Sequence, residues 1–247
     1  MYMAAPSLVF IVPYRDREQQ QAIFDKQMKM VLSDRDPLTY KILYIHQVDK
    51  RNFNRGAMKN IGFLAVKAMY PDDYKEITLV FNDVDTMPYT TGFLKYDTRR
   101  GIIKHFYGFK HLLGGIVSIT GHDFELINGF PNFWAWGYED NLINNRALKF
   151  GLIIDRDQFY PIMDKNILYL MDGFYRILNR TEKSMYTVGT DEGFGNIDGL
   201  EYTIDDSTGF VNVTKFNTNR EENISTTTTT DMSGALQKRS QMKMVFL

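Results

Sequence analysis

The chain has 247 residues, of which 44% are hydrophobic and 14% aromatic, and this is enough for one globular domain with a sizeable core. Lys and Arg number 29 against 30 Asp and Glu, so no net field would attract nucleic acid or an anionic membrane. The absence of cysteine excludes disulfides and thiolate metal sites. The first apolar run, residues 8–12, is too short for a membrane span, and we expect a cytoplasmic protein without a nucleic-acid partner.

Strands and helices are predicted to alternate through the first third of the chain. The continuous apolar run at residues 8–12 ends at Pro13, as is typical of a central parallel strand. The elements predicted in this region are strand 8–12, helix 17–32, strand 40–46, helix 57–69 and strand 77–81. This alternation predicts an α/β fold, Rossmann-like, with a mostly parallel central sheet and covering helices.

The middle of the chain continues the pattern, and the last third loses it. Gly114 and Gly115 precede a predicted strand at 116–120, and a short helix is expected to begin near His122. A further helix should start near Glu139 and Asp140, where acidic side chains suit the positive end of the helix dipole, and should end before Gly151. A short strand follows at 152–154. We predict a single domain over 1–216 and a flexible, low-complexity tail over 217–247.

The predicted strand 77–81 ends in the sequence Asn82-Asp83-Val84-Asp85. Two carboxylates at the carboxyl end of a buried strand are placed to meet a divalent cation and the phosphates that it carries. The pattern is short, and a strand-ending turn in which aspartate side chains accept from nearby backbone amides explains it equally well. The residues alone leave both interpretations open.

Two arginine-containing segments lie where an open sheet binds ligands. Pro13-Tyr14-Arg15-Asp16-Arg17 leaves the first strand at its carboxyl end, and Phe53-Asn54-Arg55-Gly56 precedes the second helix. Arginines can pair with a diphosphate, and a helix start adds free backbone amides. The alternatives are a solvated charged loop for the first segment and ordinary helix capping for the second.

A fourth segment, residues 133–141, contains both tryptophans of the chain and an acidic pair. Trp134 and Trp136 precede Glu139 and Asp140. An indole face can support the apolar face of a sugar ring, and a neighbouring carboxylate can accept a proton from a sugar hydroxyl as it attacks. The alternative is a pair of core aromatics followed by acidic helix-cap residues.

The order of these segments resembles the β-1,4-galactosyltransferase family, over residues 7–156 and more weakly over 181–202. The segments that carry the resemblance are Phe10-Ile11-Val12-Pro13-Tyr14-Arg15-Asp16-Arg17, Phe53-Asn54-Arg55, Phe81-Asn82-Asp83-Val84-Asp85, Gly114-Gly115-Ile116-Val117-Ser118 and Asn128-Gly129-Phe130-Pro131-Asn132-Phe133-Trp134-Ala135-Trp136-Gly137-Tyr138-Glu139-Asp140. The resemblance implies a GT-A glycosyltransferase fold and an inverting reaction. It also implies a UDP-sugar donor, a glycan acceptor, and a manganese ion, with magnesium as the alternative.

The resemblance also implies roles for individual residues. Those that would hold the donor are Pro13, Tyr14, Arg15, Arg17, Phe53, Arg55, Asp83, Val84, Leu112 and Gly115. Asp85 would ligate the metal, and Asp140 would be the general base. Trp136 would pack on the acceptor, and Glu139 would orient the sugars.

Departures from the family pattern affect both substrates. After the second tryptophan the family usually has Gly-Gly-Glu-Asp-Asp-Asp, whereas this chain has Gly137-Tyr138-Glu139-Asp140-Asn141-Leu142. Asn141 can still bond an acceptor hydroxyl but carries no charge, and Tyr138 is expected to narrow the acceptor site. Leu112 stands where many galactose-transferring members have tyrosine. Members with an aliphatic residue there tend to accommodate an N-acetyl group, which leaves N-acetylgalactosamine beside galactose as the donor sugar.

The predicted metal site and cellular location also differ from those usual in the family. No histidine follows His122, so the family's later metal-binding histidine is missing; Asp164 is our candidate oxygen ligand, with Asp172 as the alternative. Animal members are Golgi proteins with an amino-terminal anchor and cysteines, and neither occurs here. A cytoplasmic enzyme from a large virus or a microbe, or an excised catalytic domain, fits this sequence. Two functional alternatives stay open: transfer from UDP-GlcNAc or UDP-glucose, and a non-catalytic nucleotide-sugar or glycan-binding module.

Overall fold

A computed structural model of the chain describes residues 4–171, 173, 175–222 and 227–231. Its helices are α1 (Glu18–Val31), α2 (Arg55–Met69), α3 (Gly121–Leu126), α4 (Glu139–Lys149) and α5 (Arg180–Val188), with 3-10 turns at Pro37–Thr39 and Phe194–Asn196. Its strands are β1 (Leu8–Tyr14), β2 (Tyr40–Gln47), β3 (Thr78–Asn82), β4 (Thr86–Pro88), β5 (Ile102–Gly108), β6 (Ile116–Thr120), β7 (Ile153–Asp155), β8 (Tyr160–Pro161), β9 (Ile167–Tyr169), β10 (Tyr175–Asn179), β11 (Asp198–Asp205), β12 (Phe210–Asn217) and β13 (Thr227–Asp231).

The central sheet has nine strands in the order β11-β12-β2-β1-β3-β6-β5-β7, with β8 also paired to β5. The four strands β12, β2, β1 and β3 run parallel to one another, and β7 and β8 run parallel to β5. Strand β6 pairs antiparallel with both β3 and β5, and β11 pairs antiparallel with β12. The prediction of an α/β fold with a mostly parallel sheet is therefore confirmed.

Strand β1 lies at the centre of the sheet and is buried along all seven residues. Its alternate side chains enter two cores, as the two-residue period of a strand requires. Val9 and Ile11 pack with α2, and Leu8, Phe10 and Val12 pack on the opposite face with α1. Helix α1 contributes Phe24, Met28 and Val31, which share one helical face.

Helix α2 packs so closely on the sheet that a glycine is needed at the contact. A Cβ atom added at Gly62 would lie 2.4 Å from Ile11 Cγ2, and the side chain of Ile45 lies just beyond. Every residue of α2 from Gly56 to Phe63 is buried. The helix start, with Arg55, is thereby fixed at the carboxyl ends of β1, β2 and β3, where open α/β sheets bind their ligands.

The elements predicted up to residue 155 are confirmed to within two residues at each end. Strands β4 and β5 were not predicted; in β5, Lys104 and His105 interrupt the apolar run. Most of the elements after residue 160 were also missed. Residues 227–231, inside the predicted tail, form β13 and pair antiparallel with β10; residues 232–247 lie outside the described residues. None of the helices in the described ranges is long and apolar enough to cross a membrane.

Candidate active site

Three segments meet at the carboxyl edge of the sheet: the turn after β3, the start of α2 and the start of α4. The Asp83 amide donates to the Gly115 carbonyl at 3.1 Å, which joins the turn to the start of β6. The side chain of Asn82 donates to the carbonyls of Asp83 and Thr86, at 2.8 Å each. Asn82 thus fastens the turn, and the carboxylate of Asp83 is left for another partner.

That partner is Arg55, which gathers three carboxylates around one guanidinium. Its Nε and Nη2 donate to Asp83 at 2.7–3.0 Å, in the paired geometry that arginine and carboxylate favour. Its Nη1 donates to Glu139 at 2.7 Å and to both oxygens of Asp140 at 3.0 and 3.1 Å. Asn54 caps α2 by accepting from the Ala57 amide, and this orients the first turn of the helix.

Asp140 is held by a second cation, Lys59, whose Nζ lies 3.0 Å from Oδ1. Lys59 is only 2% exposed, and its ammonium also lies 4.2 Å from the centre of the Phe130 ring. Burial by itself would raise the pKa of Asp140, but the charges of Arg55 and Lys59 outweigh it and lower that pKa. Asp140 is therefore ionised at neutral pH and able to accept a proton.

Glu139 differs sharply from its neighbour although both contact Arg55. Burial and the negative charge of Asp140 raise the pKa of Glu139. Its Oε2 is buried and accepts no hydrogen bond from the described part of the chain. Two adjacent carboxylates whose pKa values move in opposite directions are typical of an active site.

The double glycine before β6 serves two separate purposes. A Cβ at Gly114 would lie 2.3 Å from Asp140 Oδ2, so glycine makes room for that carboxylate. Gly115 has φ +76°, and a Cβ there would lie 2.3 Å from the Tyr107 carbonyl oxygen. The Leu113 amide donates to the Asp140 carbonyl at 2.9 Å, which ties this loop to the start of α4.

His105 supports the same loop from beneath. Arg156 Nε donates to its Nδ1 at 3.2 Å, which leaves Nε2 as the N–H that faces the carbonyls of Tyr107 and Gly114, each 3.1 Å away. Burial and the charge of Arg156 lower the pKa of His105 to about 4. The ring is therefore neutral at physiological pH, and its role at this loop is structural.

The sequence allowed each tryptophan to be either a core residue or a platform for a sugar ring, and the structure contains one of each. Trp134 is 2% exposed, stacks on Phe216 with 5.6 Å between ring centres, and donates from Nε1 to the Arg220 carbonyl. It is a core residue. Trp136 is 48% exposed, and the Arg176 guanidinium lies 5.7 Å from its ring centre. Of the two, only Trp136 offers an indole face to a ligand.

Tyr138 and Asn141 flank the acidic pair. Tyr138 has φ +68°, a left-handed backbone that accounts for the glycine in the family pattern. Its ring stacks on Tyr186 of α5, with 5.1 Å between centres and 23° between planes. Asn141 lies half-buried in the first turn of α4.

Several of the residues predicted to hold the donor have structural contacts. Pro13, Tyr14 and Val84 are buried, and Phe53, Leu112 and Arg17 are half-buried. Tyr14 packs edge-on against His46 and Phe210. Arg15 donates to the carbonyls of Asp49 and Arg51, and so holds the loop after β2.

The candidate metal ligands lie near one tyrosine. Burial and the negative charges of Asp85, Asp164 and Asp83 raise the pKa of Tyr107, against a hydrogen bond from the Met163 amide. Asp164 Oδ1 accepts from the backbone and side-chain amides of Asn166, at 2.9 Å each. Across the described ranges, no three His, Asp or Glu side chains are close enough to hold a metal ion. The alternative ligand Asp172 lies outside those ranges.

Sequence comparison decides the family. The family model described as "N-terminal region of glycosyl transferase group 7" matches residues 3–94, and the one described as "N-terminal domain of galactosyltransferase" matches residues 103–168. The chain belongs to the β-1,4-galactosyltransferase family. The predicted resemblance is therefore confirmed, and the two matches include the donor-side segments and the double glycine.

This family member is similar to named relatives over part of their length. It is 33% identical over 159 residues to a xylosylprotein 4-β-galactosyltransferase of Caenorhabditis elegans, an alignment covering 60% of this chain and 53% of the relative. It is 30% identical over 177 residues to human β-1,4-galactosyltransferase 7, covering 68% and 52%. The chain thus spans about half the length of the curated relatives that it matches.

A solved structure confirms the GT-A fold of this family member. The structure is a mutant of Drosophila β-1,4-galactosyltransferase 7 in complex with manganese, UDP-Gal and xylobiose. The TM-score is 0.67 at 20% sequence identity, over 87% of this chain and 95% of that chain.

Sequence reasoning missed two residues that contact Asp140, namely Lys59 and Gly114. Lys59 lies inside the buried face of a predicted helix, and a lysine in an apolar stretch is itself a signal of a buried ion pair. Gly114 was visible as half of the double glycine, but its contact with Asp140 was not.

Proposed function

We propose that this β-1,4-galactosyltransferase family member transfers galactose or N-acetylgalactosamine from UDP to a hydroxyl group of a glycan acceptor, with inversion at the anomeric carbon. The observation that carries the proposal is the position of Asp140. It is an ionised carboxylate between Arg55 and Lys59, at the edge of the sheet where the Asp83 turn also ends. The family and the names of the relatives support galactose as the first sugar to test.

Inversion requires a base on the acceptor side of the reacting carbon. Asp140 would take the proton from the acceptor hydroxyl as that oxygen attacks, and UDP would leave from the opposite face. Trp136 would support the acceptor sugar ring, and Glu139 would orient the sugars. Arg55 would hold the Asp83 and Asp140 carboxylates in fixed positions relative to each other beside the reacting centre.

The residues present fit a divalent cation that is held together with the nucleotide. Asp85 and Asp164 offer carboxylate oxygens, which hard cations such as manganese accept. Only one or two protein carboxylates are needed where phosphate oxygens complete the coordination, which agrees with the absence of a three-ligand cluster in the described part of the chain. A bound cation would stabilise the charge that develops on the departing diphosphate.

A donor and acceptor panel tests the proposal. The protein is incubated with manganese and each of UDP-galactose, UDP-GalNAc, UDP-GlcNAc and UDP-glucose, with and without sugars that include xylobiose, and UDP release is measured. We expect release to rise when an acceptor is added. Asp140→Asn should lower transfer at least about a hundredfold with UDP binding nearly unchanged, whereas Asp72→Asn, on an exposed turn, should have no effect.

Two outcomes would count against this function. No UDP release with any donor, together with no manganese-dependent UDP binding, would contradict an enzyme and would leave a glycan-binding module. Full transfer by the Asp140→Asn variant would remove Asp140 from the base role.

Leu112 provides a test of donor choice. Its Cδ1 lies 3.1 Å from where a Cβ of Gly114 would be, and Asp140 Oδ2 lies 2.3 Å from the same point, so Leu112 lies beside the candidate base. Leu112→Tyr should lower the rate with UDP-GalNAc relative to UDP-galactose, because the larger ring would occupy space for the N-acetyl group. An unchanged ratio of the two initial rates would contradict this role.

A further inference from the structure

The segment that carries the exposed tryptophan is held by three consecutive backbone amides. The Trp134 and Ala135 amides donate to the two oxygens of Glu182, at 2.7 and 2.9 Å. The Trp136 amide donates to the Ile177 carbonyl at 2.7 Å. All three acceptors belong to β10 and α5, so one hairpin-like unit of strand and helix holds the whole segment.

Glu182 is itself fixed in place before it accepts these bonds. It lies in the first turn of α5, where the Asn179 side chain accepts from the Thr181 and Glu182 amides at 2.8 and 3.1 Å. Its side chain is buried, with the residue 6% exposed. A buried carboxylate is costly unless it is well paired, and two hydrogen bonds from successive amides offset much of that cost.

The two hydrogen bonds from the Trp134 and Ala135 amides to Glu182 are called the clamp below. The segment that they hold leads directly to the candidate base. After Trp136 the chain passes through Gly137 and Tyr138, with φ +101° and +68°, and enters α4 at Glu139 and Asp140. Only Gly137, Tyr138 and Glu139 separate Trp136 from Asp140, and the left-handed backbone of Tyr138 is one that few non-glycine residues adopt. Displacement of the Trp136 backbone would therefore alter the position of the indole ring relative to Asp140.

We propose that Glu182 is a positioning residue for the acceptor: its carboxylate fixes the 134–136 backbone and thereby sets the indole ring of Trp136 against the acceptor sugar. This rests on the proposed function. Glu182 touches neither substrate in this scheme, and it acts through two backbone amides. Its loss should weaken acceptor binding and leave donor binding intact.

The charges around Glu182 make the clamp sensitive to pH. Burial, with Glu139 from α4 and Glu192 from the 190–193 loop, raises the pKa of Glu182 to about 7, although the Trp134 and Ala135 amides lower it. Two cations pair with the other carboxylates of this group: Arg55 Nη1 lies 2.7 Å from Glu139, and Arg220 Nε lies 3.0 Å from Glu192. A protonated Glu182 keeps only one good acceptor oxygen for two amides. Acceptor affinity should therefore decline as the pH falls below 7.

The test compares Glu182→Ala and Glu182→Gln with two controls on α5. Met185→Ala removes a buried side chain that packs beside Phe133 and Leu142, so it loosens α5 without touching the clamp. Lys183→Ala changes an exposed neighbour. We expect Glu182→Ala to raise the acceptor KM about tenfold or more, with the donor KM and acceptor-independent UDP release within twofold of wild type. Lys183→Ala should match wild type.

Two further readouts do not depend on activity. Amide hydrogen exchange at residues 134 and 135 should speed up in Glu182→Ala and stay near wild type in Met185→Ala. The acrylamide quenching constant of Trp136 fluorescence should differ between Glu182→Ala and wild type, whereas Trp134 remains buried. In Glu182→Gln, the rise of acceptor KM between pH 8 and pH 6 should disappear.

The outcomes separate this inference from the proposed function. Equal increases in acceptor KM for Glu182→Ala and Met185→Ala would reduce Glu182 to a general packing role and overturn the inference. Unchanged amide exchange at 134 and 135 in Glu182→Ala would overturn it as well. A protein with no transferase activity but with the expected exchange pattern would retain the clamp and contradict the proposed function alone.

Discussion

At the scale of single residues, the site is organised by two cations among several carboxylates. Arg55 bonds Asp83, Glu139 and Asp140, and Lys59 bonds Asp140 from the other side. A base with two cationic partners stays ionised to a lower pH than a solvated aspartate. The same contacts lower its affinity for a proton. The surrounding charge therefore sets a compromise between the ionised fraction of Asp140 and its strength as a base.

Lys59→Met tests this compromise. Methionine keeps most of the buried volume and removes the charge, so the pKa of Asp140 should rise. The acid limb of the kcat/KM pH profile should then move to higher pH. Lys67→Met is the matched control, because Lys67 lies on the same helix but pairs with Glu125. An acid limb at the same pH in Lys59→Met and wild type would show that Lys59 does not act on the titrating group.

The sequence reached some of these residues and not others for a physical reason. Arg55, Asp83 and Asp140 lie in short ordered segments that the family pattern marks. Lys59 and Glu182 have partners 81 and 48 residues away. Lys59 lies in none of the ordered segments, and Glu182 lies where the resemblance is weaker. A lysine in an apolar helix indicates that a buried partner exists, but only the fold shows which distant residue that partner is.

At the scale of elements, α2 is held to the site region by a row of buried asparagines. Asn54 donates to the Asn132 carbonyl at 3.1 Å, and Asn60 donates to Asn132 Oδ1 at 2.9 Å. Asn132 in turn donates to the Gly193 carbonyl at 2.8 Å. Sequence periodicity predicted α2 itself, but it gave no sign of this lateral connection to residues 128–132 and 193.

Asn54→Ala should therefore cost more than an ordinary helix cap. It removes the bond to the Ala57 amide and leaves the Asn132 carbonyl without its Asn54 donor, so we expect a loss of about 2 kcal/mol in the free energy of unfolding. Urea unfolding measures it. Asp36→Ala removes an exposed cap at the 3-10 turn Pro37–Thr39 and should cost less. Equal losses in the two variants would argue against the buried asparagine row.

At the scale of the whole molecule, two buried groups have opposite effects on how the free energy of unfolding changes with pH. His105 has a pKa of about 4 in the folded chain against 6.5 ordinarily, so the unfolded chain binds the extra proton and stability falls as pH decreases from 6.5 to 4. Glu182 has a pKa of about 7 against 4.5, so the folded chain binds the extra proton and stability rises as pH decreases from 7 to 4.5. Each contributes about 3 kcal/mol.

The single variants should expose these opposing contributions. In His105→Gln the free energy of unfolding should increase, relative to wild type, as pH falls from 6.5 to 4. In Glu182→Gln it should decrease, relative to wild type, as pH falls from 7 to 4.5. Urea unfolding at several pH values measures both. Parallel profiles for wild type and His105→Gln would mean that His105 is not the neutral buried ring described above.

The strand order also has a consequence for the order of folding during synthesis. Strand β2 is synthesised early and pairs with β1 along one edge. Its other edge pairs with β12, where Phe210 aligns with Tyr44, so that edge stays unpaired until β12 has been synthesised. About 160 further residues must be made first, and an unpaired central strand edge invites association with other chains. A nascent chain halted before residue 210 would therefore expose the apolar edge of β2, and the last strands of the sheet complete the protection of its first ones.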